Sequence, residues 1–375
     1  RILQMKTCGI VAEYNPFHYG HAYHIEQARK LSGADVIIAV MSGNFVQRGE
    51  PAVTDKWERS ACAIRNGVDV VLELPYIYAT QAASQFAKGA TDVLKLAKAD
   101  CICFGSECGN LENLMEIADT PVNPDHLHKS MSDGTSFPKA YSLLTSSMEP
   151  NDILGVSYLK HIKDTNIQPL LVQRTTGYLE NKIHKDTFSS AYAIRNALKT
   201  HTEFTGSTPM EKILINSDIP WMEKYYPYFR TFMLTSDKEA LQNMFLFSEG
   251  IENHLIKNAA VADDFETFLN NSTTYRYTNG RIKRTMLQAM NQITKQEVRK
   301  LPTMQAIRVL AFNDTGRQWL HSIRKQDIQT ASRFANVPYP YRTMEYKSTL
   351  LYTSVMDFER RKLLLEKEIG GAQYI

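Results

Sequence analysis

The chain has 375 residues, of which 43% are hydrophobic and 22% are charged, and its formal net charge at pH 7 is only +3. These values indicate a globular protein with room for two domains, and they exclude a membrane-spanning chain because no apolar run reaches the length of a bilayer crossing. No secretory leader opens the chain, so we expect a cytoplasmic protein without membrane association. We interpret Arg1 to Gln4 as a vector-derived remnant and Met5 as the natural start.

The number and spacing of the five cysteines argue against a fold stabilised by disulfide bonds or by zinc. Their number is odd and none forms a Cys-x-x-Cys pair, which disfavours a disulfide framework and a zinc knuckle. Cys101 and Cys103 share one face of a predicted strand, and with Cys108 they match no common metal-site spacing. We therefore predict buried cysteines that act as small hydrophobic residues, and no metal site in the protein.

Apolar runs of strand character alternate with segments of helical periodicity over about the first 200 residues. This alternation predicts a doubly wound α/β fold built on a parallel sheet. Ligands bind such a sheet beyond the carboxyl ends of its strands, so the turns after strands one, two and four are the informative ones. The predicted strands are Cys8 to Ala12, Val36 to Met41, Val68 to Leu74, Cys101 to Gly105 and Ile167 to Gln173, and the predicted helices include Ala22 to Leu31 and Gln81 to Ala97.

The turn after the first predicted strand carries three histidines, His18, His21 and His24, and Gly20 opens the following helix. Unpaired backbone N–H groups and the helix dipole attract anions there, and a glycine leaves room for a nucleotide to approach. Imidazoles titrate near neutral pH, so we expect His18 and His21 to be cationic beside a polyphosphate. One histidine at a helix start is more often a cap or a core residue, but three together favour a nucleotide site.

A long polar loop, Ser42 to Lys56, follows the second predicted strand. Such a loop inside a βαβ unit is unusual unless it serves a site, so we expect substrate or phosphate contacts from it, Lys56 included. After the fourth strand, Gly105 is expected to lie close to a base or ribose, and Ser106 is either a phosphate contact or a helix cap. The other polar residues of the loop that we place near the site are Gln47, Arg48 and Glu50.

Helical periodicity dominates after about residue 205, with Lys238 to Phe247, Arg281 to Ile293 and Thr303 to Phe312 as predicted helices. Between Arg276 and Arg333 there are twelve Lys or Arg residues and three acidic residues, interleaved with aromatic residues. Basic charge concentrated in this way is typical of a surface that binds a nucleic-acid backbone, although a solvated helix face is the plain alternative.

The His-x-Gly-His spacing from His18 to His21 resembles the signature of the Rossmann-like nucleotidyltransferases, which activate substrates by adenylyl or cytidylyl transfer. Ser189 to Arg195 resembles the Ser-Ser-Thr-x-Ile-Arg element with which that superfamily starts a late helix aimed at the β and γ phosphates. Tyr192 replaces the threonine of the element, which removes the hydroxyl at that place. Ser190 and Arg195 remain as candidate phosphate contacts, with a surface helix residue as the alternative for Arg195.

Longer motifs in the right order resemble one family within that superfamily, the bacterial tRNA(Met) cytidine acetate ligases. The resemblance covers most of the chain. It rests on GIVAEYNPFHYGHAYH (Gly9 to His24), MSGNFVQRGEPAV (Met41 to Val53), LELPYIYA (Leu72 to Ala79), FGSE (Phe104 to Glu107), NDILGVSYL (Asn151 to Leu159) and YRYTNGRIKRTML (Tyr275 to Leu287).

The resemblance implies an enzyme that uses ATP and acetate, through acetyl adenylate, to acetylate the wobble cytidine of elongator tRNA(Met). It implies Mg²⁺ as the phosphate counterion and no obligatory protein partner, with His18 and His21 as the catalytic pair. For the base that would deprotonate the cytosine amine, Glu50 and Glu107 are candidates, and either is equally well a structural partner of an arginine. The implied ATP-binding residues are Val11, Ala12, Glu13, Tyr14, Asn15, Pro16, Phe17, His18, Tyr19, Gly20, His21, Ala22, Tyr23, His24, Gly105, Asn151 and Arg174.

These expectations divide the chain into an ATP-binding catalytic domain at residues 5–205 and a helical, basic tRNA-binding domain at residues 206–375. The predicted tRNA contacts are Arg276, Arg281, Lys283 and Arg284. Two alternatives differ in class: an adenylyltransferase that acts on a small phosphorylated metabolite, and a non-catalytic RNA-binding protein with a vestigial nucleotide pocket.

Overall fold

A computed structural model of the protein describes residues 5–120, 148–174, 183, 188–326 and 328–375, so the predicted remnant Arg1 to Gln4 lies outside the described residues. Its described part contains an eight-stranded sheet in the order β5-β4-β1-β2-β3-β6-β7, with β8 paired to β6. The strands are β1 (Thr7–Ala12), β2 (Val36–Ser42), β3 (Val70–Leu74), β4 (Cys101–Ser106), β5 (Gln168–Gln173), β6 (Ile307–Phe312), β7 (Thr330–Ala331) and β8 (Gln373–Tyr374).

Helices cover both faces of this sheet and form most of the second half of the described chain. They are α1 (Tyr19–Ser32), α2 (Lys56–Arg65), α3 (Tyr76–Ala79), α4 (Ala83–Leu96), α5 (Leu111–Asp119), α6 (Pro150–Ile162), α7 (Ala191–Thr200), α8 (Glu211–Ile215), α9 (Met222–Thr235), α10 (Lys238–Asn243), α11 (Ile251–Val261), α12 (Phe265–Ser272), α13 (Asn279–Met290), α14 (Lys295–Arg299), α15 (Asp314–Arg324), α16 (Tyr339–Thr353) and α17 (Phe358–Ile369).

The first five strands confirm the predicted parallel sheet. β1 pairs in parallel with β2 and β4, β2 with β3, and β4 with β5. Every residue of β2 is buried, since the sheet is covered on both faces. Alternate residues of β2 face opposite cores: Ile38 and Val40 join one apolar cluster, and Ile37 and Ala39 join the other.

The prediction of a helix from Thr303 to Phe312 was wrong, because the segment contains strand β6. β6 pairs antiparallel with β3, so the sheet is mixed rather than purely parallel. Its sequence, Ile307 to Phe312, is apolar except for Arg308 and almost fully buried, and a short, mostly apolar run of this kind fits a helix or a strand equally well by periodicity. The segment forms a strand because the edge of β3 supplies backbone hydrogen-bond partners.

The helical segment packs against the sheet through one shared core. Tyr225 and Phe229 of α9, Leu255 of α11 and Met286 of α13 belong to the same apolar cluster as Val36 and Val40 of β2. The predicted boundary at residues 205 and 206 therefore does not separate the sheet completely from the helical segment. Strands β6, β7 and β8 come after this boundary in the chain but belong to the sheet.

Two further expectations concern membranes and cysteines. In the described residues, no helix has both the length and the apolar character that a membrane crossing needs. Cys101 and Cys103 are buried, as predicted, whereas Cys108 is exposed because it lies in the turn after β4. The described residues contain no group of three or more His, Cys, Asp or Glu side chains that could hold a metal ion.

Candidate functional site

A cavity of about 200 Å³ opens at the carboxyl ends of β1, β4 and β5, where the doubly wound pattern places a ligand site. Among the predicted nucleotide contacts, it is lined by Val11, Ala12, Glu13, Tyr14, Asn15, His18, Gly20, His21, Tyr23, His24, Gly105, Asn151, Arg174, Ser190 and Arg195. Pro16, Phe17, Tyr19 and Ala22 belong to the same turn and helix start but do not line the cavity.

His18 and His21 form the N-terminal cap of α1. Nδ1 of His18 accepts a hydrogen bond from the backbone N–H of Gly20 at 3.1 Å, and Nδ1 of His21 accepts one from the N–H of His18 at 3.1 Å. Because each Nδ1 is an acceptor, each neutral ring carries its proton on Nε2 and presents a donor. The two ring centroids lie 3.7 Å apart, and a Cβ on Gly20 would lie 2.8 Å from Cε1 of His18, so the glycine makes room for this ring.

Burial favours neutral histidines in the ligand-free site, whereas our expectation of cationic rings concerns a site that holds a polyphosphate. Burial, reinforced by the charges of Arg174 and Arg195, lowers the pKa of His18 to about 3. Burial and the neighbouring ring of His18 lower the pKa of His21 well below its ordinary value. Burial lowers the pKa of His24 to about 4. The positive charge at this end of the cavity therefore comes from arginines.

Arg174 and Asn151 form one side of the cavity with the turn after β4. The backbone N–H of Arg174 donates to the carbonyl of Ser106 at 2.8 Å, and the side chain passes over Gly105, where a Cβ would lie 3.2 Å from Cγ of Arg174. Nδ2 of Asn151 donates to Oε1 of Glu107 at 2.5 Å, and Nε of Arg174 lies 3.8 Å from the same oxygen. Asn151 lies inside the first turn of α6, one position after Pro150.

The other side of the cavity begins at α7. Ser190 caps this helix by accepting the N–H of Ala193 at 3.0 Å, as the resemblance to the phosphate-directed element implies. Nη1 of Arg195 donates to the carbonyl of Asn15 at 2.6 Å, which fixes the guanidinium beside the histidine turn. Tyr192 also lines the cavity, and the guanidinium carbons of Arg48 and Arg195 lie 6.0 and 5.9 Å from its ring centroid.

Glu13 connects the cavity to the loop after β2. Its Oε1 accepts the backbone N–H of Gln47 at 2.7 Å, and both Gln47 and Arg48 line the cavity, as predicted for this loop. Burial raises the pKa of Glu13, although the Gln47 N–H and the guanidinium groups of Arg48, Arg195 and Arg59 oppose the shift.

Arg59 holds the strand ends in place and was not identified from the sequence. Its fully buried guanidinium donates to four backbone carbonyls, including that of Glu13 at 2.6 Å and that of Ser42 at 3.1 Å. The sequence motifs do not indicate this role, because an arginine within a helix such as α2 is normally exposed to solvent.

Two predicted phosphate contacts lie elsewhere. Lys56 is fully buried and pairs with Oε1 of Glu73 at 2.6 Å and Oε2 of Glu368 at 2.8 Å, so it does not reach the cavity. Ser106 is fully buried, bonds to Asp152 and accepts the N–H of Gly109 at 3.1 Å. Both side chains therefore support the fold rather than the ligand.

The predicted tRNA contacts divide into two pairs. Arg276 is exposed, and Arg281, which is half-buried, lies 2.8 Å from Oε2 of Glu249. Lys283 is only 8% exposed and pairs with Glu50. Nη1 of Arg284 donates to the carbonyl of Gln47 at 3.1 Å. Lys283 and Arg284 thus attach α13 to the loop of the cavity, because the loop packs directly against this face of the helix.

The apolar wall of the cavity was also missed. Phe86, Phe104, Leu154, Tyr158 and Phe188 line it from four separate parts of the chain. Tyr158 lies in a motif that supports the family resemblance, but spacing alone does not separate a wall residue from a core residue. Only the tertiary fold brings these side chains together.

The family model for HIGH nucleotidyl transferases matches residues 5–366 of this chain. Relatives named tRNA(Met) cytidine acetate ligase extend that finding. One from Geobacillus sp. (strain WCH70) is 34% identical over 97% of this chain and 98% of its own length. One from Limosilactobacillus reuteri (strain DSM 20016) is 38% identical over 86% of this chain and 88% of its own length. The chain belongs to the tRNA(Met) cytidine acetate ligase family.

Solved structures of the family have the same fold. The chain is similar to the ligand-free crystal structure of Thermotoga maritima TmcAL, with a TM-score of 0.89 and 30% identity over 99% of this chain and 100% of that one. It is also similar to the crystal structure of Thermotoga maritima TmcAL bound with alpha-thio ATP, with a TM-score of 0.85 and 32% identity over the same shares. Membership confirms the nucleotidyltransferase-like α/β fold and makes this chain an enzyme.

Proposed function

We propose that this chain activates acetate with ATP as acetyl adenylate and transfers the acetyl group to the exocyclic amine of the wobble cytidine of elongator tRNA(Met). The observation that carries the proposal is the arrangement of His18 and His21 at the start of α1, in one cavity with Arg174 and Arg195. This arrangement supports a binding site for a nucleoside triphosphate, because a helix N-terminus and arginine side chains both favour phosphate groups.

The cavity residues fit ATP in three respects. Arg174 has a buried Nε for which the described residues supply no hydrogen-bond partner, so a ligand oxygen has a donor to meet there. The Nε2–H donors of His18 and His21 add neutral contacts at the helix start. Gly105 and Asn151, with the apolar wall, suit the base and ribose, while the start of α7 suits the outer phosphates.

The first step that we propose is an in-line displacement. An acetate oxygen attacks the α-phosphorus, the bond to the bridging oxygen breaks, and pyrophosphate leaves with the electron pair. Neutral imidazoles lower the barrier by hydrogen bonding to charge that develops on the leaving group, and the two arginines supply the full charges. No covalent link to the enzyme is needed, because positioning and charge stabilisation account for such transfers.

Mg²⁺ and acetate complete the proposal. The described residues offer no cluster of three or more acidic, His or Cys side chains for a metal ion. This composition suits Mg²⁺, which is usually held by substrate phosphates, waters and one or two carboxylates. Arg48 belongs to the loop after β2 and lines the cavity, so its positive charge attracts the acetate carboxylate.

The deciding experiment is incubation of the protein with ATP, acetate and elongator tRNA(Met), followed by mass analysis of the nucleosides. We expect an added acetyl group on cytidine that depends on both ATP and acetate. Pyrophosphate release with a small phosphorylated metabolite, and indifference to tRNA, would identify the first alternative. Full retention of function in His21→Ala would identify the second, a non-catalytic RNA-binding protein.

The proposed tRNA surface has its own prediction. Arg276→Ala with Arg281→Ala is the better test pair than one that includes Arg284, because Arg284 contacts a loop of the ATP cavity. We expect weaker tRNA binding and a shallower salt dependence, since phosphate contacts release counterions, while acetate-dependent pyrophosphate exchange stays unchanged. Equal loss of both activities would contradict the separation of surface and cavity.

A further inference from the structure

Acetyl transfer to an exocyclic amine requires a group that removes a proton from nitrogen as the new bond forms. The two carboxylates that the sequence suggested are both committed elsewhere. Although burial opposes the shift, the charge of Lys283 lowers the pKa of Glu50, which pairs with that lysine. Glu107 accepts from Asn151 and does not line the cavity.

Glu13 is the acidic side chain that lines the cavity among the described residues. It lies just after β1, in the turn that leads to His18, so it faces the end of the cavity that the reacting phosphate occupies under the proposed function. One of its oxygens, Oε1, is held by the N–H of Gln47 at 2.7 Å, and within the described residues no hydrogen bond reaches Oε2. The carboxylate is thus anchored at one oxygen and has an acceptor left at the other.

The contacts of Gln47 connect Glu13 to the basic helix α13. The peptide groups of this residue face in two directions: its N–H donates to Glu13, and its carbonyl accepts Nη1 of Arg284 in α13 at 3.1 Å. α13 belongs to the basic segment that we propose as the tRNA surface. Gly105 lies near the carboxyl end of β4 and Arg174 directly after β5, on the other side of β1 from the β2 loop, and Asn151 of α6 donates to Glu107 in the turn after β4. This leaves the Glu13 side for the incoming base.

We propose, on the basis of the function above, that Glu13 is the general base of acetyl transfer and takes the proton from the cytosine amine. The amine nitrogen attacks the carbonyl carbon of acetyl adenylate, and a proton passes from that nitrogen to Oε2 of Glu13. The bond between the acetyl carbon and the phosphate oxygen then breaks, and AMP leaves with the electron pair. Glu13 returns its proton to water after the products depart.

The electrostatics of Glu13 suit this role. Burial raises the pKa of its carboxyl above the ordinary glutamate value, which strengthens the carboxylate as a base near neutral pH. The guanidinium groups of Arg48, Arg195 and Arg59 oppose the shift, and so they keep the ionised form available beside a negatively charged ligand.

The test is Glu13→Gln, measured in the two half-reactions separately. The amide oxygen of glutamine can still accept the N–H of Gln47, so the loop anchor is retained while the basic carboxylate is removed. We expect single-turnover acetyl transfer to tRNA to fall by about 100-fold or more beyond any loss of acetate-dependent pyrophosphate exchange, because only the transfer step needs the basic carboxylate. Glu26→Gln, on the exposed face of α1 where Glu26 pairs with Lys30, is the matched control and should leave both rates unchanged.

Each other outcome overturns the assignment. Equal loss of pyrophosphate exchange and acetyl transfer would place Glu13 in the first half-reaction, for example as a ligand of Mg²⁺. Unchanged acetyl transfer would show that Glu13 does not accept the proton of the amine. The unsubstituted protein gives an independent check: its transfer rate should rise with pH through the pKa of Glu13, and a flat acidic limb would contradict the role. If the unsubstituted protein does not acetylate tRNA at all, the proposed function fails, and this assignment fails with it.

Discussion

At the residue scale, the hydrogen bonds of the helix cap determine the tautomer of the two histidines. His18 and His21 each use Nδ1 to cap α1, which leaves Nε2–H as the donor for a ligand. Under the proposed function, neutral rings would stabilise a leaving pyrophosphate by directed hydrogen bonds without attracting the nucleotide as strongly in its ground state. Arg174 and Arg195, which are always protonated, would supply the charge that holds the nucleotide.

This arrangement makes a prediction for the titration of the ligand-free protein. We expect His18 to protonate near pH 3 and His24 near pH 4, with nitrogen shifts of His18 and His21 typical of the Nε2–H form. Because these pKa values lie below that of an unfolded histidine, the stability that they confer is present above about pH 6.5 and is lost as the pH falls towards 3 to 4. Two-dimensional NMR of the imidazole nitrogens measures both properties, and a midpoint near 6.5 for His18 would contradict them.

How much of the site the sequence could predict depends on how local the interaction is. The cap at His18, the N-terminal cap at Ser190 and the position of Gly105 follow from short motifs, because neighbouring residues determine them. Lys56 and Arg59 could not be assigned in this way. Both residues belong to α2 and lie three positions apart. Lys56 pairs with Glu73 and Glu368, whereas Arg59 donates to backbone carbonyls beside the cavity.

At the element scale, the loop after β2 is fastened to α13 of the helical segment. Glu50 pairs with Lys283, and the carbonyl of Gln47 accepts Arg284. Gly49 lies between these two contacts with φ +79°, and a Cβ at this position would lie 2.5 Å from the backbone nitrogen of Arg284. The contact therefore requires both a left-handed backbone and the absence of a side chain.

Gly49→Ala tests whether this close approach matters. Gly206 is a matched control, since its φ is +76° but nothing lies within 4 Å of its added Cβ. We expect Gly206→Ala to cost about 1 kcal/mol of unfolding free energy through backbone strain alone, and Gly49→Ala to cost about twice that or more. Only Gly49→Ala should also reduce acetyl transfer. Chemical denaturation and single-turnover assays measure both effects, and equal costs for the two variants would contradict the packing argument.

The first five strands and helices such as α1 and α4 could be predicted because each has a local apolar pattern, whereas β6 could not. Residues Ile307 to Phe312 become a strand only because β3 presents an unpaired edge, and β3 lies far away in the chain. Periodicity cannot report a pairing partner at such a distance.

At the scale of the whole molecule, a buried charge cluster joins the two ends of the chain. Lys56 of α2 pairs with Glu73 of β3 and Glu368 of α17, and Arg308 of β6 bonds to the same two carboxylates at 2.8 and 2.6 Å. Two cations thus balance two anions. Glu345 lies against this cluster, and burial with the nearby charge of Glu73 raises its pKa to about 8.

This cluster predicts how stability responds to alkaline pH. Glu345 is protonated in the folded state up to about pH 8 but ionises near 4.5 when unfolded, so its contribution to the unfolding free energy is present below 4.5 and is lost as the pH rises to 8. Glu345→Gln removes this titration. We expect the variant to gain stability relative to the unsubstituted protein between pH 5 and 8, by at most about 1.4 kcal/mol per pH unit. Denaturant titrations at several pH values measure the difference, and parallel pH profiles would contradict it.

Strand β6 also has a consequence for the protein during its synthesis. On the ribosome, β3 is made early, but its antiparallel neighbour at Ile307 to Phe312 emerges only after more than two hundred further residues, and the Gln373–Tyr374 strand that pairs with β6 emerges later still. Until then the nascent chain exposes an open, apolar sheet edge of the kind that recruits other chains. We therefore expect a chain that relies on chaperones until both β6 and β8 have been made and have closed this edge of the sheet.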